Sequence, residues 1–325
     1  MRRRAFIRSA LGAACLLGSA GTAWLITPPR GELLEIAVIA TGDEAVDRLL
    51  IAGAQDAADQ HRLRLHVHRP ELGDSRNQSQ LLATAAGLDP AAVVICPVSP
   101  ARQHHAIASA AGRTVVVTCG RDAPDSGRMI FIGHGDFRTG RMAAQLVKRL
   151  APGGATVCVV QERGNESHAA HLEGLRYVLE TAADDHPAWR CVEVAVAPET
   201  NVAEAVHRRA AAVDGPTVIV CCSAALAAQV ASDRPAGAAI VSCEADERTL
   251  ELLAAGRVDA ALANDWRTIG YHAVARAALL SRSGPVNRPH GGMGSAYLPK
   301  LPLTIAGATE PALSSRPRLH RAISL

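Results

Sequence analysis

Residues 131–150 read FIGHGDFRTGRMAAQLVKRL: an apolar, strand-like end passes through Gly133, Gly135 and Gly140 into an Arg- and Ala-rich helical run. Glycines between a strand and a helix raise the question of a phosphate cradle. A dinucleotide fingerprint needs G-x-G-x-x-G at the first strand-to-helix turn, with an acid about 20 residues further on. Here the third glycine comes two residues late, the strand is about the fifth in the chain, and Asp136 and Phe137 fill the turn. A P-loop fails on chemistry, because Gly140 is followed by Arg141 and Met142 where Lys and Ser or Thr are needed. The stretch reads as a bend into a helix, with Asp136 as its candidate ligand contact.

Outward from it, short β-branched runs alternate with longer amphipathic ones, the pattern of β-α-β units feeding a parallel sheet. The spacing predicts strands at residues 36–40, 63–68, 92–96, 114–119, 129–133, 155–161, 191–196, 217–222, 238–243 and 260–264. Helices are expected between them, among others at 44–60, 167–181, 202–212, 248–255 and 268–280. Ten strands exceed one sheet of ordinary size. The fold class is therefore α/β, with two doubly wound parallel-sheet lobes. A Pro- and Gly-rich stretch at 283–294 leads to a last extended run at 297–306 and a basic tail at 308–325.

The first 30 residues stand apart. Arg2, Arg3 and Arg4 lead through Phe6, Ile7 and Arg8 into an acid-free apolar run to Ile26, the layout of an export signal. The Arg-Arg-x-Phe-Ile-Arg order resembles the twin-arginine signal; an uncleaved N-terminal anchor is the other reading of the same run. No later stretch is long and apolar enough to span a bilayer. Without the four arginines of residues 1–29, the 34 basic and 31 acidic residues become 30 against 31. That balance gives no footprint for a nucleic-acid partner. Seven cysteines follow the leader, at positions 96, 119, 158, 191, 221, 222 and 243. None shows C-x-x-C spacing, and most read as small buried strand residues.

Catalysis finds little support. Ser99 and Ser223 follow strands, but neither sits in the G-x-S-x-G elbow that exposes a nucleophile. His104 and His105 are neighbours on a helix and point about 100° apart, and His66 with His68 reads as a half-buried strand face. No enzyme activity, metal or cofactor is expected. In open parallel sheets a ligand sits beyond the carboxyl ends of the strands, and those ends carry Thr41, Ser99, Arg121, Asp136, Ser223, Glu244 and Asn264. Such groups can hold a polar solute by hydrogen bonds.

With those positions in view, the order of motifs resembles the periplasmic sugar-binding proteins of ABC transporters, ribose-binding type. They share their fold with the ligand domain of lactose-repressor-like regulators. Phe131-Ile132-Gly133 with Asp136 and Gly140 is similar to the family's I-G-x-D-N-x-x-x-G. Gly174 fits R-x-x-G, with His171 where the Arg stands; Ala227 follows an N-D position occupied by Ser223-Ala224. Val241 with Glu244 fits V-G-x-D, and Asn264 with Gly270-Tyr271 fits Q-x-x-x-x-x-G. The D-R after the fourth strand reads Gly120-Arg121. The aromatics that stack on a sugar after the first strand are replaced by Thr41-Gly42-Asp43-Glu44, leaving Trp266 and Phe137 as stacking candidates.

The resemblance implies a type I periplasmic binding protein fold with a three-segment hinge near 132–136, 261–265 and 297–303. The lobes would be 34–135 plus 265–300 and 136–264 plus 301–307. It implies an exported, monomeric solute-binding protein that closes on a sugar or sugar derivative through Thr41, Arg121, Asp136, His171, Ser223, Glu244, Asn264 and Trp266, and then docks on a membrane permease or a sensor kinase. A receptor of the same fold without a transport role is the alternative.

Overall fold

Short runs of Val, Ile, Ala and Cys such as AVVI and TVIVC cannot face water on either side. In a computed structural model of the chain, which describes residues 33–180, 189–213, 215–282 and 294–304, they form the centres of two sheets. The proposed export signal and the 308–325 tail lie outside the described residues, as does all of 283–293.

The first sheet holds β1 (Leu34–Ile39), β2 (Leu63–His68), β3 (Ala92–Ile95), β4 (Val115–Cys119) and β5 (Ile130–Gly133). Helices α1 (Glu44–His61), α2 (Ser75–Gly87) and α3 (Pro100–Ala111) connect its first strands, and α4 (Asp136–Leu150) leaves it. The second sheet holds β6 (Ala155–Glu162), β7 (Trp189–Val196), β8 (Thr217–Cys221), β9 (Ala239–Ser242) and β10 (Ala260–Ala263). Its helices are α5 (Glu166–Leu179), α6 (Val202–Ala211), α7 (Ala224–Ser232) and α8 (Glu247–Ala254), followed by α9 (Trp266–Arg282).

Two short strands complete the sheets: β11 (Ser295–Tyr297) joins the first and β12 (Leu301–Thr304) the second. The orders are β11-β5-β4-β3-β1-β2 and β12-β10-β9-β8-β6-β7. Every pairing is parallel except β10 with β12. The single extended run read at 297–306 is thus two strands in different sheets, interrupted at Leu298, Pro299 and Lys300. The sheets repeat one plan, with β1 to β5 matched by β6 to β10.

Both faces of each sheet are covered, which is why the strands read as continuous apolar runs rather than alternating ones. Along β3, Ala92 and Val94 join the α1 and α9 side with Leu50 and Ile269. Val93 and Ile95 turn to the α2 and α3 side with Leu82 and Ile107. In the second sheet Val218 and Val220 meet α4 and α5, while Ile219 and Cys221 meet α6, α7 and α8.

The opening glycines find their reason here. Gly133 is a strand residue, and Gly140 lies inside α4, where a Cβ would stand 2.0 Å from the His171 carbonyl oxygen on α5. Gly174 answers from α5, its Cβ position 2.1 Å from the Phe137 carbonyl. Gly53 and Gly270 play the same part where α1 crosses α9. These glycines let helix backbones touch; they do not cradle phosphate.

The chain passes between the sheets three times: from β5 into α4, from β10 into α9, and from β11 into β12. The first and third passages are tied together. Leu298 N–H donates to Gly133 O at 2.7 Å, His134 Nδ1 bonds Leu298 O at 2.8 Å, and Arg138 Nη1 donates to Tyr297 O at 3.2 Å. Since the Leu298 carbonyl can only accept, Nδ1 of His134 carries the proton.

Candidate functional site

Parallel strands release their residues at one end of the sheet, and the second sheet gathers a polar cluster there. Asp136 opens α4 without capping it: Gly135 is the N-cap, and the carboxylate turns instead toward α5, where Asp136 Oδ1 lies 3.6 Å from His171 Nε2. His171 is 2% exposed and Asp136 half exposed. Burial pulls the imidazole's pKa down and Lys300 adds to that, but the Asp136 carboxylate and Cys243 together outweigh them and the value is raised. Burial pushes Asp136 up, yet His171 and the Ser167 hydroxyl overcome it and hold the carboxyl below its ordinary value. The pair therefore favours imidazolium facing carboxylate. His168, one turn earlier on α5, stacks on His171 with ring centres 6.1 Å apart; burial lowers its pKa.

Lys300, in the third passage, is buried, and its Nζ–H donates to the Cys243 carbonyl at 2.8 Å. Burial pulls its ammonium down, opposed by Glu244, Cys243 and Asp136. The Cys243 thiol follows β9 and lies beside Cys222, which follows β8. Cys222 as a donor, helped by His171 and Lys300 and opposed by burial, holds Cys243 down at about 7, whereas Cys222 itself is pushed far up. Glu244, the next residue, is exposed at the strand end. It does not cap α8; Asp246 does.

Ser223 caps α7, its Oγ accepting from Leu226 N at 3.4 Å. Asn264 is half-buried on the passage from β10 to α9. At the first sheet, Thr41 is held by the buried Asp47, whose Oδ1 accepts from both the Thr41 amide (2.8 Å) and hydroxyl (2.7 Å). Arg121 is exposed and donates to Val98 O at 2.7 Å, while its neighbour Asp122 pairs with Arg128 at 2.5 Å. Trp266 lies against Gly120 and the first core, where a Cβ on Gly120 would meet the indole at 2.7 Å. Phe137 turns to Tyr177, ring centres 5.7 Å apart.

Asp136, His171 and Glu244 are thus brought together around Lys300, with Ser223 beside Cys222. Thr41, Arg121 and Trp266 stand at the matching ends of the other sheet. An open groove of about 790 Å³ lies elsewhere, between the loop before α2 and α3, and is lined by Asp74, Arg76, Arg102 and His105 among others. Among the described residues, no three His, Cys, Asp or Glu side chains could hold a metal ion, and no helix is long and apolar enough to cross a membrane.

A family model described as a periplasmic binding protein domain matches residues 36–284. The chain belongs to that family. Solved structures agree on the fold. A sugar-binding protein of a sugar ABC transporter from Bacillus halodurans is 19% identical, covering 84% of this chain and 98% of its own, with a TM-score of 0.70. AraP, an arabinose-binding protein from Geobacillus stearothermophilus, is 17% identical with 85% and 98% coverage and a TM-score of 0.71. A periplasmic ribose ABC transporter protein from Conexibacter woesei is 16% identical with 90% and 97% coverage and a TM-score of 0.69. No curated protein sequence matches.

For this periplasmic binding protein, sequence reasoning passed over Lys300, Asp47 and His134. Lys300 had a signal of its own: it is one of only two lysines in an arginine-rich chain, next to a proline in the last extended run.

Proposed function

We propose that the protein is an exported solute-binding protein of an ABC transporter that closes on a small polar ligand, a sugar or sugar derivative. The observation that carries this reading is the half-exposed Asp136, oriented by buried His171 beside Lys300, at strand ends where the chain passes between sheets. A carboxylate held ionised by an imidazole accepts hydroxyl hydrogen bonds, and charge-assisted bonds of that kind contribute roughly 1.5 to 3 kcal/mol each. The proteins of the same fold named above as sugar-, arabinose- and ribose-related support the ligand class.

The lobes would be residues 34–135 with 265–300 and 136–264 with 301–307, hinged on the three passages. Thr41, Arg121 and Trp266 would close from one lobe on Asp136, His171, Ser223, Glu244 and Asn264 of the other. A ligand touching both lobes only when closed shifts the population to the closed form, which a membrane permease would then recognise. The twin-arginine-like leader would deliver the protein, as a monomer, to the cell envelope.

The test is a thermal-shift screen of pentoses, hexoses, polyols, nucleosides and furanosyl compounds, followed by calorimetry. One class should raise Tm, and Asp136→Asn should weaken its binding at least about tenfold. Failure of every class, or a hit indifferent to Asp136→Asn, would refute the reading.

A further inference from the structure

The two sheets carry cysteines at equivalent places. Ile95 of β3 pairs with Thr118 of β4, so the next residues, Cys96 and Cys119, are cross-strand neighbours. Cys221 of β8 pairs with Ser242 of β9, so Cys222 and Cys243 are neighbours in the same way. Each pair faces one core: Cys96 and Cys119 on the α1 and α9 side, Cys222 and Cys243 on the α4 and α5 side. All four are free thiols, 2% exposed or less. Adjacent strands run about 4.8 Å apart, within the Cα separation a disulfide accepts.

Their surroundings differ. Cys243 has the buried Lys300 ammonium on its own carbonyl at 2.8 Å and His171 nearby, while Cys222 Sγ lies 3.8 Å from the His168 carbonyl. The group whose charge bears on the first pair is an acid, Asp47, and the Cys119 thiol is pushed up by Cys96 and by burial.

We infer that Cys222 and Cys243 form a redox-active dithiol that a small hydroperoxide closes to a cross-strand disulfide, while the matching Cys96 and Cys119 stay reduced. Thiolate, not thiol, is the nucleophile, and Lys300 with His171 supplies the cationic setting only in the second sheet. Cys243 thiolate attacks one peroxide oxygen: an S–O bond forms, the O–O bond breaks, and hydroxide leaves to take up a proton. Cys222 then gives up its proton and attacks the sulfenic sulfur; the S–S bond forms, the S–O bond breaks, and water leaves. Two thiols and one hydrogen peroxide become one disulfide and two waters. Burial closes the pair to bulky reagents and leaves a small neutral peroxide as its oxidant. The inference is independent of the ligand.

The experiment exposes the reduced full-length protein to graded hydrogen peroxide, alkylates the remaining thiols in denaturant and reads the peptides by mass spectrometry. A cross-linked species joining Cys222 to Cys243, two hydrogens lighter than the dithiol, should form at least about tenfold faster than any joining Cys96 to Cys119. Lys300→Met should slow it by a similar factor, with Lys300→Arg restoring it. Cys222→Ser should leave a Cys243 sulfenic acid that dimedone traps when the peroxide-treated protein is unfolded in its presence, and this variant decides the matter if Lys300→Met does not fold. Equal rates for the two pairs, no reaction at either, or oxidation of Cys243 without linkage to Cys222 would overturn the inference.

Discussion

His171 Nε2 stands 3.6 Å from Asp136 Oδ1, an ion-pair contact just beyond hydrogen-bond length that joins the second turn of α5 to the first residue of α4, and both nitrogens of the ring are buried without a hydrogen-bond partner. The raised pKa of this imidazole makes stability depend on pH with a definite sign. Below the ordinary value of 6.5 the folded and unfolded states are both protonated and the stabilisation is fully present; it is lost as pH rises through the higher folded value. His171→Gln should therefore cost more at about pH 5.5 than at about pH 9 in urea unfolding. His134, lowered by burial, pulls the other way but is present in both proteins and cancels in the difference; His168, which His171 helps burial to lower, recovers part of the loss at low pH in the variant. An equal cost at both pH values would show that folding leaves the imidazole's pKa unchanged, and a smaller cost at the lower pH that His171 folds neutral.

Asp47, unlike Asp136, is a buried acid, and its work is structural. Its carboxylate accepts from Thr41 N, Thr41 Oγ1 and Gly42 N at 2.8, 2.7 and 3.0 Å, fixing the loop where the resemblance expects a sugar-stacking aromatic. Asp47→Ala leaves two part-buried amides without their acceptor and should destabilise by about 2 to 4 kcal/mol. Asp43→Ala, which removes only the cap that accepts from Ala45 and Val46, should cost about 1 kcal/mol. Matching losses in denaturant titrations would sink the distinction.

Strand and helix order was legible because fully buried parallel strands write themselves as short apolar runs between amphipathic helices. Runs such as 92–96 and 217–222 match β3 and β8 to within a residue. The break in 297–306 was not legible: Ser295 to Tyr297 and Leu301 to Thr304 are too short for alternation to show, and only a partner strand reveals which sheet each joins. Of the site, Asp136 and His171 were named singly from motif positions, but their pairing depends on the approach of α4 and α5, which no local pattern encodes. The rarity of Lys300 was visible but its burial was not, since a lysine reads as solvated until the fold closes over it.

That approach of α4 and α5 is itself testable. A Cβ on Gly140 would stand 2.0 Å from the His171 carbonyl, whereas nothing lies within 4 Å of one on Gly153. Gly140→Ala must push the helices apart and should cost about 1 to 3 kcal/mol, while Gly153→Ala should stay within about 0.5 kcal/mol. Because the shift moves Asp136 relative to His171, Gly140→Ala should also flatten the pH dependence attributed to that pair. A Gly140→Ala protein as stable as wild type would mean that the crossing has slack.

The closure proposed for this protein makes the sharpest demand, because it would need contacts from both sheets at once. Arg121 stands at the end of the first sheet with one donor on Val98 O, and Glu244 stands exposed after β9. Neither lies in a core, so Arg121→Ala and Glu244→Ala should each leave folding stability within about 0.5 kcal/mol. Each should weaken ligand binding at least tenfold, about 1.4 kcal/mol, by removing a contact that exists only in the closed state. Calorimetry on the ligand found by screening reads both numbers. If Glu244→Ala weakens binding and Arg121→Ala does not, the solute is held by the second lobe alone; if neither does, the strand ends named here are not the site.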